Sequence, residues 1–192
     1  MSAERLTLKL ESFGPLLMNA SRMADPLDPD AIKLAAVTGK RKKTAADHRR
    51  IADIEWFGKM WTHDGRPCLP ADALEKCFED AAKTRNFGAT LAGAVVVDAP
   101  ALLEYDGPRD IRKLAKNPDF RFRKLVRVRR ALTPRTRPYF ASWHAVVHVS
   151  FLPTVINREQ VVDIFRVAGS QVGVGDWRKK HGRFTVEELL PD

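Results

Sequence analysis

The sequence predicts an α+β fold of the ferredoxin-like kind, a sheet assembled in the order β-α-β-β-α-β and carrying long inserted loops. Three observations lead there. Near the start, Leu6, Leu8 and Leu10 alternate with Thr7, Lys9 and Glu11. In the middle, Ala73, Leu74, Cys77, Phe78, Ala81 and Ala82 recur at spacings of three and four. Toward the end, Val161, Ile164, Phe165 and Ala168 repeat the helical spacing between two alternating segments. A period of two marks a strand with one buried face, and a period of 3.6 marks a helix with a buried stripe.

Residues 5–11 form the first strand, which Phe13-Gly14-Pro15 ends. Asn19, Ser21, Asp25-Pro26 and Asp28-Pro29 spell a long loop pinned by Leu16, Leu17 and Met18. A short helix over 30–37 then leads into the basic cluster Lys40, Arg41, Lys42, Lys43. Ile51, Ile54, Trp56, Phe57, Met60 and Trp61 approximate a helical stripe over 45–61, with His48, Arg49, Arg50, Asp53 and Lys59 outside it. Pro70 opens the helix over 71–85. Buried strand segments at 92–97 and 101–105 follow, then a short helix at 110–115, an arginine-rich strand from Phe120, and an extended connection from Thr133 to Pro138. A long strand spans 139–151. Asn157 and Gln160 suit a helix start, because each side chain can satisfy a backbone amide near the other; the helix runs over 158–168 and a strand over 183–189 closes the fold. Six of these elements complete the sheet, so residues 12–69 and 106–137 are insertions on a single domain spanning 1–192.

Composition narrows the function classes. The chain has 192 residues, enough for one domain with a substantial core. No apolar run approaches the roughly 20 residues that span a bilayer, and Met1 to Arg5 has no apolar signal core, so the expectation is a cytoplasmic protein without a membrane partner. Cys68 and Cys77 lie nine apart, which fits reduced thiols and neither a metal nor a disulfide framework. Thirty-three basic against 24 acidic residues leave a net charge of +9, which favours a polyanionic partner.

The charge is concentrated. Odd positions read Arg121, Arg123, Leu125, Arg127 and Arg129, even positions read Phe120, Phe122, Lys124, Val126 and Val128, and Arg130, Arg135 and Arg137 follow. On a strand this sets guanidinium groups above a buried apolar row. A solvated edge strand would also be charged, but such faces mix signs, and no Asp or Glu occurs between Phe120 and Trp143. Like charge repels itself, so a phosphate partner explains the row better.

Two loops extend the basic set. In 173–184, Gly173 and Gly175 allow close backbone approach to a phosphate, Arg178, Lys179, Lys180 and Arg183 supply charge, and Trp177 offers a stacking plane. The competing reading is a tight turn with Trp177 folded into the core. Gly39 to Thr44 lacks the first glycine of a phosphate loop and is either a mobile basic loop that closes over a strand or an exposed linker. His144 and His148 would stand about 13 Å apart along a strand, too far to share one ion. Asp176 has no partner by spacing and no nucleophile–base pair is recognisable, so no catalytic residue, metal or cofactor is assigned.

The segments GPLLMN (14–19), ADPLDP (24–29), KRKKT (40–44), Glu55-Trp56, GRPCLP (65–70), TRPYFASW (136–143) and GVGDWRKKHGRF (173–184) resemble a family of bacteriophage and prophage proteins. The resemblance spans nearly the whole chain; it implies a phage context and carries no activity over. At the level of fold, a first strand, a helix after Gly65-x-Pro67-x-x-Pro70 and a late glycine-rich loop are similar to the RAMP superfamily of CRISPR effector backbone subunits. That likeness implies an RNA-recognition-like fold whose inserted loops hold single-stranded nucleic acid; the short length and the GDWR (175–178) segment depart from it.

These observations lead to a phage-derived single-stranded nucleic-acid-binding protein, DNA favoured over RNA, acting as a homo-oligomer. Its phosphate contacts would be Arg121, Arg123, Arg127, Arg129, Arg135 and Arg137, with Lys40 to Lys43 and Arg178 to Lys180 closing the site and Trp177 or Tyr139 stacking. The alternatives are an assembly module whose arginines meet an acidic protein surface and, last, a metal-dependent nuclease.

Overall fold

Leu6, Leu8 and Leu10 form the seam of the larger sheet. Their strand β1 (Glu4–Ser12) pairs antiparallel with β9 (His144–Phe151), setting Leu6 opposite Val149, Leu8 opposite Val147 and Leu10 opposite Ala145, all buried. β1 also pairs with β10 (Phe184–Leu189), and β9 pairs with β5 (Val95–Val97), so the strand order is β10-β1-β9-β5 and every pairing is antiparallel. The computed structural model describes residues 2–85, 87, 91, 93–128 and 131–190. The chain divides into two units: the first is Met1–Leu16, Thr62–Asp106 and Ala141–Asp192, and the second is Leu17–Trp61 and Gly107–Phe140.

In the first unit, α3 (Ala71–Thr84) and α5 (Arg158–Val167) pack on each other through Phe78 and Phe165, whose ring centroids are 4.8 Å apart. The stripes that predicted these helices are the buried ones: Leu74, Cys77, Phe78, Ala81 and Ala82 on α3, and Val161, Ile164 and Phe165 on α5. Asn157 and Gln160 close a reciprocal capping box at the start of α5. A π-helical turn, Ala168–Val172, continues α5, and Gly169 lies so close to β10 that a Cβ there would stand 2.1 Å from the Phe184 carbonyl oxygen. A small second sheet joins β3 (Thr62–His63), β4 (Arg66–Leu69) and β6 (Ala101–Leu102). The segments expected at 92–97 and 101–105 thus enter different sheets, and Ala92 lies outside the described residues. Cys68 and Cys77 are free and buried, and burial pushes their thiols up to about 11 and about 12, so neither carries thiolate at neutral pH.

The second unit is built from α1 (Pro29–Thr38), α2 (Ala45–Lys59), α4 (Ile111–Lys116) and the hairpin of β7 (Arg121–Val128) and β8 (Ala131–Phe140). The short strand β2 (Leu16–Leu17) falls where the two units divide. The Trp56 indole N–H donates to the Phe120 carbonyl at 2.8 Å, and the Phe120 and Phe140 rings meet edge to face at 5.6 Å, which fixes the base of the hairpin to α2.

Two strand assignments change. The connection Thr133–Pro138 is the centre of β8, and the long strand over 139–151 is broken at Ala141–Trp143 into the end of β8 and all of β9. Pro134 and Pro138 are tolerated because even-numbered residues of β8 turn their amide positions away from β7: the Thr136 N–H leaves the hairpin to reach Glu55, and the Pro138 carbonyl accepts from Met18 at 3.1 Å. Among the described residues no helix is long and apolar enough to cross a membrane.

Candidate nucleic-acid interface

The arginine strand is not the uncompensated row its sequence implied. On α2, the buried Glu55 accepts from the Arg135 guanidinium at 2.7 Å and from the Thr136 N–H at 2.8 Å. Two residues earlier on the helix, Asp53 accepts from Arg121 at 2.7 Å, and the same guanidinium donates to the Ala115 carbonyl at 2.8 Å. Arg121 and Arg135 therefore hold the hairpin to the helices. Arg137 is half-buried and donates to the Thr136 carbonyl at 3.2 Å. Arg123, Lys124 and Arg127 are exposed, and Arg129 and Arg130 lie outside the described residues. Of the apolar row expected beneath them Phe120 is buried, but Phe122 and Val126 are half-buried and Val128 is exposed, because β7 is the edge of a narrow sheet. Phe122 stacks on Tyr139 with ring centroids 5.9 Å apart.

The side chains facing β7 from α2 complete a basic groove. Ala45, His48 and Arg49 line one wall, and Arg123, Lys124, Leu125 and Pro134 line the other, around about 660 Å³. No carboxylate is among these lining residues. Sequence reasoning left Arg49 and His48 out of the site; the available signal was their place outside the apolar stripe of α2.

In the basic cluster Lys40 and Lys43 make contacts within the chain, and Arg41 and Lys42 are exposed. Lys40 reaches the Asp47 carboxylate at 2.6 Å, and Lys43 donates to the Lys40 carbonyl at 2.8 Å. Asp47 also closes a capping box with Thr44 at the start of α2. The Lys40 ammonium, followed by the Thr44 N–H, holds the Asp47 carboxyl down to about 2. A carboxyl held below its unfolded value stabilises the fold above that value, near 3.8, and loses the contribution as pH falls toward about 2. The stability gap between wild type and Lys40→Ala should accordingly be widest above pH 4 and close toward pH 2, as read by denaturant titrations across that range; a gap independent of pH would show that the pair is not its source.

Trp177, Arg178, Lys179 and Lys180 belong to the first unit, whereas the hairpin and Lys40 to Lys43 belong to the second. Trp177 is not folded into the core: it is 43% exposed, with Lys180 over its ring at 5.7 Å. Arg178 pairs with Asp80 at 2.9 Å, and the Lys179 carbonyl accepts from Arg183 at 2.7 Å. The glycines serve self-packing. A Cβ on Gly173 would stand 2.6 Å from the His181 carbonyl oxygen, and one on Gly182 would stand 1.7 Å from that of Val174. Among the described residues no group of three or more His, Cys, Asp or Glu side chains is placed to hold a metal ion.

No protein-family model matches the chain, and comparison with curated proteins finds no match.

Proposed function

We propose that this chain is a phage-derived protein that binds single-stranded nucleic acid, DNA before RNA and with little sequence preference, through the basic hairpin of its second unit. One observation carries the reading: Arg123, Lys124 and Arg49 line a groove about 660 Å³ in volume without a carboxylate in its lining, and Arg127 lies exposed further along the same strand. Arg49 and Arg123, gathered on one surface, set up a positive potential that attracts phosphate. The phage context rests on the motif resemblance alone. The first unit is a ferredoxin-like frame in this reading; its support is the order β10-β1-β9-β5 with α3 and α5 as the two crossovers.

Fluorescence anisotropy with labelled single- and double-stranded DNA and RNA, at two salt concentrations, tests the proposal. Affinity should favour the single strand and fall steeply with salt; salt-insensitive binding, or none, overturns it. A second reading, an assembly module, has its own observation: Leu125 and Leu132 are 58% and 62% exposed and share one face of the hairpin by register. Sizing at several concentrations separates the two, because assembly without oligonucleotide favours the module.

A further inference from the structure

We infer that the nucleic-acid track does not end at the first groove but continues along α2, past the Arg121–Asp53 ion pair, to a second station where a base stacks on Phe57 and Arg112 and Lys116 hold the adjoining phosphate. The inference rests on the reading of the hairpin as a single-strand binder and names the part of the ligand each group would meet.

The register of two elements leads there. Ala45, Arg49, Asp53 and Phe57 recur every four residues on α2, so they form one row along the helix surface. β7 runs the other way beside that row. Leu125 and Arg123 line the groove with Ala45 and Arg49, and Arg121 lines a further groove with Asp53 and Phe57. This further groove encloses about 600 Å³, and Arg112 and Lys116 form its remaining charged wall. The two cations stand four apart on α4, and buried Leu114 and Ala115 anchor that helix, which turns Arg112 and Lys116 to solvent. Three cations thus meet a single carboxylate, and Asp53 is already committed to Arg121 at 2.7 Å.

Phe57 supplies what the first groove lacks. It is 38% exposed although it follows a fully buried Trp56, and the two rings meet edge to face at 5.1 Å and 86°, which fixes the orientation of Phe57. An exposed, held aromatic ring beside cations is the arrangement that takes a base on its face and the neighbouring phosphate at its rim, tolerant of sequence because every base has a π-face. A purely anionic protein surface would use the cations and have no use for the ring.

The test uses the full chain, labelled oligothymidylate as the probe, and inorganic polyphosphate as a second polyanion without bases. Phe57→Leu keeps an apolar contact with Trp56 and removes the π-face. It should weaken oligothymidylate binding about five- to a hundredfold and leave polyphosphate binding unchanged. The double variant Arg112→Ala, Lys116→Ala should weaken both and, with one phosphate released, lower the slope of log K against log salt by about 0.7. If Arg123→Ala with Arg127→Ala weakens binding while both of these variants bind as wild type, the second station is overturned and the hairpin reading stands. An equal loss of both polyanions in Phe57→Leu overturns the stacking role. Loss of neither ligand in any variant overturns the hairpin reading itself.

Discussion

Replacing Arg123 and Arg127 together by alanine should weaken single-strand binding about 25-fold near 0.1 M salt and leave the fold intact. The figure follows from counterion release: each phosphate of a single strand that the protein neutralises adds about 0.7 to the steepness of log K on log salt, so removing two such cations lowers it by about 1.4. Both side chains are exposed, and substitutions at such positions shift stability by no more than about 0.5 kcal/mol. Salt-dependent anisotropy and thermal unfolding on one preparation give both numbers; an unchanged slope would mean that these arginines do not meet phosphate. Arg135 is the wrong residue for this experiment. Its removal leaves Glu55 buried with one remaining partner, so weaker binding would report a damaged hairpin.

Gly182→Ala should destabilise the first unit by about 3 kcal/mol or more, lowering Tm by roughly 6–12 °C for a chain of this size. The glycine has φ +71°, and an added Cβ would lie 1.7 Å from the Val174 carbonyl oxygen and within 2.8 Å of two further backbone atoms of that residue. Backbone cannot swing aside as a long side chain can. The clash also sits within a hydrogen-bonded pair, since the Val174 N–H donates to the Gly182 carbonyl at 2.9 Å and the Gly182 N–H to that of Pro15 at 2.7 Å. Gly65→Ala is the comparison: φ is +72°, but nothing lies within 4 Å of the added atom, so only the left-handed penalty of about 1 kcal/mol remains. Equal Tm losses in the two variants would show that close packing is not why residue 182 is glycine.

Local patterns were legible wherever one element answers to one period. α3 and α5 show a helical stripe, β1 shows strict alternation, and the Asn157–Gln160 box announces its helix. β8 was not legible as a strand, because Pro134 and Pro138 read as an extended connection until the partner of each amide position is known. The charge balance was hidden for a related reason. Arg121 finds Asp53 and Arg135 finds Glu55 across separations of 68 and 80 residues, and no local window contains both members of a pair. The loop over 173–184 was ambiguous in a third way: glycine that lets a backbone approach a phosphate looks the same, in sequence, as glycine that lets the backbone approach itself, as Gly173 and Gly182 do.

The strand order has a consequence for how the chain is made. β1 is synthesised before both of its neighbours, β9 and β10, which lie more than a hundred residues further along the chain. The 131 residues from Phe13 to Trp143 must be translated before even the first neighbour begins, roughly 7–26 s at about 5–20 residues per second. Through that interval Leu6, Leu8 and Leu10 have no paired strand beside them, and by its end every residue of the second unit, which ends at Phe140, has been made. The nascent chain thus holds all the residues of its basic hairpin unit before its largest sheet can close.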